Sequence, residues 1–131
     1  MSVNERLRRT LEGIAWVEMA WLYGSRAQGR AQAGSDYDVA VVTSGAPRFE
    51  EFQALREELE DCVQGEVGLA HLNPADTLLC REAISGQLLL RRDHSAHAIY
   101  VSRICRLAED DQLHLRQGLK WWRETSRARS C

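Results

Sequence analysis

Residues 23–42 read YGSRAQGRAQAGSDYDVAVV. The stretch divides at two points: Gly24-Ser25 ends an apolar run from Trp16 to Tyr23, and Asp36-Tyr37-Asp38 opens another. That division predicts a strand, a phosphate-holding turn, a short helix over 26–31 and a second strand carrying two metal ligands. On a strand, residues i and i+2 project from one face, so Asp36 and Asp38 point together and Tyr37 points away. Their separation, about 6–7 Å along the strand, suits a shared Mg²⁺, which takes oxygen ligands and keeps sites for water and nucleotide phosphates. Gly24 lets the backbone approach a ligand closely. The amides of Ser25 and Arg26, at a helix start, can donate to phosphate oxygens, and the Ser25 hydroxyl adds a donor or acceptor.

Gly24-Ser25, ten intervening residues and Asp36-x-Asp38, with apolar strands on both sides, resembles the signature of the nucleotidyltransferase superfamily related to DNA polymerase beta. GSRAQG followed by SDYDVAVV is similar to its minimal branch, nearest in pattern to the MntA-type antitoxins that pair with HEPN toxins. The resemblance continues through VGLAHLNPADTLLCREAISGQLLL and covers most of residues 14–92. It implies an α/β (α+β) nucleotidyltransferase fold, a small mixed sheet of about four strands with flanking helices and a long C-terminal helix. It also implies roles: Asp36 and Asp38 catalytic, holding one or two Mg²⁺ ions; Gly24, Ser25 and Arg26 binding the nucleotide; ATP as substrate. AMP would pass to a tyrosine of a HEPN ribonuclease toxin, the partner in a hetero-oligomer.

The family carries a third acid on the next core strand, in a pattern like V-D-L-V-D-L. Here that stretch is Val67-Gly68-Leu69-Ala70-His71-Leu72, with Gly68 at the acid position and His71 at the later Asp position. A nearby carboxylate commonly helps remove the proton from an attacking hydroxyl, and Gly68 offers none. Glu66, two residues earlier on the same strand face, is the candidate substitute acid. His71 belongs to the opposite face.

Elsewhere, Ser2 and Glu5 fit a capping box for a helix whose Leu7, Leu11 and Ile14 face the core. Residues 16–23 and 38–42 are expected strands, the second buried on both faces. Residues 49–63 form a helix with Phe52, Leu55, Leu59 and Cys62 or Val63 inward. Its acidic exterior is a solvated face or a docking surface for a basic partner. Residues 66–72 give a third strand; Asn73-Pro74 caps and opens a helix to about residue 85; residues 87–90 give a fourth strand. Asp93 caps a final helix over 93–124, followed by a basic tail, 125–131, in one domain with its core at 14–92. Trp121 and Trp122 cannot both face that core, and one of them is an interface anchor or lies beside the tail.

The 131 residues suffice for one domain, and 44% hydrophobic content supplies a core. No apolar run spans a bilayer, and the N-terminal stretch lacks a signal-peptide centre; a cytoplasmic location is expected. A net charge of −2 and pI near 6.1 argue against direct nucleic-acid binding, which needs a basic surface. The four cysteines form no C-x-x-C pair, and His94 and His97 lack an evident third metal ligand.

Three other readings compete with the adenylylating antitoxin. Gly68 motivates an antitoxin that acts by binding alone. A transferase for a small hydroxyl compound would ordinarily need an added acceptor domain. Arg92, four residues, then His97 matches HEPN nuclease spacing, but a strand-rich first half does not suit that all-helical fold.

Overall fold

The computed structural model describes residues 1–27, 29 and 36–109. Its elements are α1 (Val3–Glu12), β1 (Val17–Tyr23), β2 (Tyr37–Thr43), α2 (Phe49–Val63), β3 (Val67–His71), α3 (Thr77–Ile84) and β4 (Gln87–Arg91). A further helix, α4, is described over residues 94–109. The strands form one mixed sheet in the order β3-β2-β1-β4. β1 runs antiparallel to both β2 and β4. β2 and β3 are parallel, which requires a crossover; α2 supplies it.

The alternation of strand side chains sorts the core into two layers. On one face Leu22, Val39, Val41 and Val67 pack with Leu7 and Leu11 of α1 and Leu55 and Leu59 of α2. On the other, Met19, Trp21 and Ala40 pack with Cys80 and Ala83 of α3 and Ile104 of α4. Trp21, 1% exposed, stacks on His97 and Tyr100 of α4 at centroid distances of 5.8 and 5.9 Å. Large apolar side chains buried this fully contribute about 1.5–3 kcal/mol each, and both helical layers are held to the sheet in this way. No helix among the described residues is long and apolar enough to cross a membrane.

The helix starts follow local capping chemistry, with one departure from the sequence reading. Ser2 accepts from the Glu5 amide, the Glu51 carboxylate accepts from the Arg48 amide and from Arg48 Nε at the start of α2, each at 3.1 Å, and Asp93 accepts from the Ala96 amide. Asn73, however, does not cap α3. Its side-chain amide pairs with both backbone groups of Thr43, at 2.9 and 2.8 Å, prolonging the β2–β3 pairing. Asp76 caps α3 instead, accepting from the Leu79 amide at 2.8 Å. The buried Thr43 hydroxyl donates to the Gly45 carbonyl and meets His71 Nε2 at 2.8 Å. Burial lowers the His71 pKa; with the hydroxyl hydrogen given to Gly45, the tautomer that fits the pair is the one with its hydrogen on Nε2.

The expected helix over 26–31 is also absent where it is described. Residues 24–27 and 29 form a turn, and Gly24 and Gly29 both take positive φ, 74° and 69°, which breaks a right-handed helix. The remainder of that segment, Leu115, Leu119, both C-terminal tryptophans and the basic tail lie outside the described residues.

Arg92 directly follows β4 and turns back on α1. Its guanidinium donates to the carbonyls of Leu11, Glu12 and Ile14 at 3.3, 3.0 and 2.9 Å, and its Nε to Val17. It thus ties the last carbonyls of α1, at Leu11 and Glu12, to the connection at Ile14 and the start of β1 at Val17. That structural commitment, with the four-stranded sheet, removes the HEPN nuclease reading of Arg92 and His97.

Candidate active site

The end of β1, the start of β2 and the start of β3 meet at one edge of the sheet. Register sets the neighbours: Asp38 lies across from Tyr23 on β1 and across from Gly68 on β3. Asp38 projects from the α3 face, as do Tyr23 and Ala40, while Tyr37 joins the α1–α2 layer. Gly24 closes over this carboxylate. A Cβ added at Gly24 would stand 2.5 Å from Asp38 Oδ2, and its positive φ independently favours glycine. The bend and the acid are thus in contact.

Asp36 directly precedes β2 and is exposed, whereas Asp38 is half-buried. Burial is the main reason that the Asp38 carboxyl titrates above the usual carboxylate range; the charges of Asp36 and Glu82 add to the effect. The Tyr23 phenol is raised in the same way, by burial first and then by Asp38 and Glu82. Glu82 comes from α3, which covers this face of the sheet, and the sequence reading missed it. Only its helical position over β1 and β2 makes it a neighbour.

The other anticipated residues divide between the two faces. Ser25 follows Gly24 in the turn and is half-buried. The Arg26 guanidinium lies 4.1 Å from the centroid of the Tyr37 ring, which places it on the face away from Asp38. Glu66 precedes β3, is exposed, and accepts from the Tyr37 amide through its carbonyl at 2.9 Å. Gly68 lies beside Asp38: a Cβ there would be 3.1 Å from Asp38 Oδ1. Among the described residues, no group of three or more His, Cys, Asp or Glu side chains is assembled for a metal. Asp36 and Asp38 are two carboxylates close in sequence at the start of β2, a kind of donor pair that Mg²⁺ commonly completes with water and substrate oxygens.

The sequence matches the family described as Polymerase beta, Nucleotidyltransferase over residues 5–95. It is 25% identical over 85 residues to the protein adenylyltransferase MntA of Shewanella oneidensis, spanning 65% of this chain and 61% of that relative's length. Among solved structures, it resembles a chain of a toxin–antitoxin crystal structure with AMP-PNP, with a TM-score of 0.75 and 21% identity, covering 88% of this chain and 94% of that one. It also resembles a chain from the complex of the tri-AMPylated Shewanella oneidensis HEPN toxin with its MNT antitoxin. There the TM-score is 0.70 at 18% identity, covering 89% and 92% of the two chains. At such identities the structural likeness establishes the fold.

Proposed function

The chain belongs to the Polymerase beta nucleotidyltransferase family, and we propose that it is an MntA-type antitoxin that transfers AMP from ATP to a tyrosine of a HEPN toxin. The contact of Gly24 with Asp38 supports this reading, because it sets a positive-φ glycine bend against an acid of the kind that binds a divalent ion. Gly24 and Ser25 hold the β- and γ-phosphates. Asp36 and Asp38 supply the protein oxygens for Mg²⁺. When bound, that ion stabilises charge on the attacking and leaving oxygens of an in-line displacement.

The reaction joins the phenol oxygen of the partner's tyrosine to the α-phosphorus. The bond from that phosphorus to the oxygen bridging to the β-phosphate breaks, and pyrophosphate leaves. The phenolic proton passes to solvent, with Glu66 the candidate side-chain acceptor because position 68 has no acid. The partner brings its own acceptor surface, which suits a domain this small. ATP and Mg²⁺ are both cytoplasmic, and the reading places the protein there.

Gly68 favours a second reading in which the same fold neutralises the toxin by covering it. Co-expression with a HEPN toxin separates the two. Asp36→Ala/Asp38→Ala abolishes protection, and the added AMP on the toxin seen by mass spectrometry, if chemistry is required. Protection that survives both substitutions supports coverage alone.

A further inference from the structure

The Gly24–Ser25 turn is tied down from two directions outside the carboxylate pair. On the α1–α2 face, Arg26 lays its guanidinium over Tyr37 at 4.1 Å. Tyr37 packs against the α1–α2 core layer, and its amide donates to the Glu66 carbonyl at 2.9 Å. From β4, the side-chain amide of Gln87 donates to the Ala27 carbonyl at 2.9 Å. Asn4 of α1 donates to the Gln87 side-chain carbonyl at 2.6 Å, and this orients the Gln87 amide toward the turn. Neither Tyr37 nor Gln87 shares the Asp38 surface.

We propose that Tyr37 and Gln87 are positioning residues: they preform the phosphate-binding turn by holding Arg26 and Ala27 from outside the site. The proposal rests on the nucleotide reading above. Its physical basis is that a ligand loop already fixed in its bound shape spares the ordering cost of binding. The Arg26 side chain then serves the loop through Tyr37, and the turn's own backbone and Ser25 face the phosphates.

Calorimetric titration of the full chain with a non-hydrolysable ATP analogue and Mg²⁺ tests it. Tyr37→Leu and Gln87→Ala are each expected to weaken binding about threefold to tenfold, the factor for losing one cation–π contact or one hydrogen bond. Tyr37→Phe keeps the ring and is expected to stay within about twofold of the unchanged chain. If Tyr37→Leu does not fold, Arg26→Met interrogates the same stack from a turn residue. In the folded case, Arg26→Met combined with Tyr37→Leu should bind no worse than either alone. Unaltered affinity in Tyr37→Leu and Gln87→Ala, or additive losses in the double variant, overturns the proposal. Absence of saturable binding by the unchanged chain overturns the nucleotide reading itself, and this proposal with it.

Discussion

Asp38 and Gly68 are register partners across the parallel β2–β3 pair, and a Cβ on Gly68 would stand 3.1 Å from Asp38 Oδ1. The missing third acid is therefore missing at the carboxylate itself. Gly68→Asp would place a second acid there at the cost of a tight contact, which a shift of the Asp38 side chain can relieve. With Mg²⁺ and ATP, single-turnover transfer to the toxin is expected to rise, by up to about 100-fold if the new acid serves as a positioned base. An unchanged rate would mean that proton removal does not limit transfer.

Acid sensitivity follows from the burial of Asp38 and from the like charges around it. Its carboxyl is raised by burial, then by Asp36 and Glu82, while the ionised form is the one that binds a cation. Affinity for Mg²⁺–nucleotide is therefore expected to fall at a higher pH than an ordinary carboxylate would dictate as the solution is acidified. Glu82→Gln removes one of the opposing charges, lowers the Asp38 pKa and moves that loss to lower pH. Calorimetric titrations between about pH 4 and 7 check the direction; an acid limb unmoved by Glu82→Gln would deny the coupling.

The same shift has a sign for stability. A carboxyl whose folded pKa lies above its unfolded value binds more protons when folded, so its ionisation destabilises the native state. The penalty is absent below the ordinary carboxylate pKa, grows as pH rises through the window up to the raised value, and is fully present at neutrality. Asp38→Asn is thus expected to raise Tm at pH 7 and to bring no gain in strong acid. Thermal melts at the two pH values measure the difference. The substitution should abolish transfer even as it stabilises the fold.

Local pattern was readable where local forces decide. The α2 helix begins and ends at the expected residues, Phe49 and Val63, because its apolar stripe and acidic exterior coincide with cap chemistry at Arg48 and Glu51. Asn73-Pro74 carries an equally good start signal, yet the Asn73 side chain is taken by Thr43 of another strand, a pairing that no local window contains. The carboxylate pair and the glycine bend could be read from spacing. Glu82 could not, since its influence on Asp38 depends on how α3 is seated over the sheet. Nor could Gln87: its contact with the turn needs β4 to return beside β1.

Gly86 constrains the junction of α3 and β4 by space alone. A methyl there would meet the Leu22 carbonyl oxygen and stand 2.9 Å from Tyr23 Cα. Both are β1 backbone groups at the threshold of the bend and cannot rotate away. Gly86→Ala is expected to cost about 2–3 kcal/mol, at the upper end of overpacking penalties, seen as a lowered denaturant midpoint with an unchanged slope. A change under about 0.5 kcal/mol, the ordinary surface value, would show that the junction can relax.

Arg92 makes a different kind of junction, since its exposed guanidinium holds the end of α1 against the start of β1. Four backbone carbonyls accept from it, those of Leu11, Glu12, Ile14 and Val17. Hydrogen bonds involving a charged group are worth about 1.5–3 kcal/mol, and water can replace part of that at an exposed site. Arg92→Met keeps the stem and loses the donors, so a cost of about 1–2 kcal/mol is expected in chemical denaturation. Arg92→Lys should recover part of it, because Nη2 alone meets the Leu11, Glu12 and Ile14 carbonyls while an ammonium there loses the separate Nε bond to Val17. Hydrogen exchange should locate the damage in the last turn of α1 while the β1–β2 amides beside Asp38 keep their protection. Full recovery by lysine would mean that charge near the helix end, and not the fork, supplies the stabilisation.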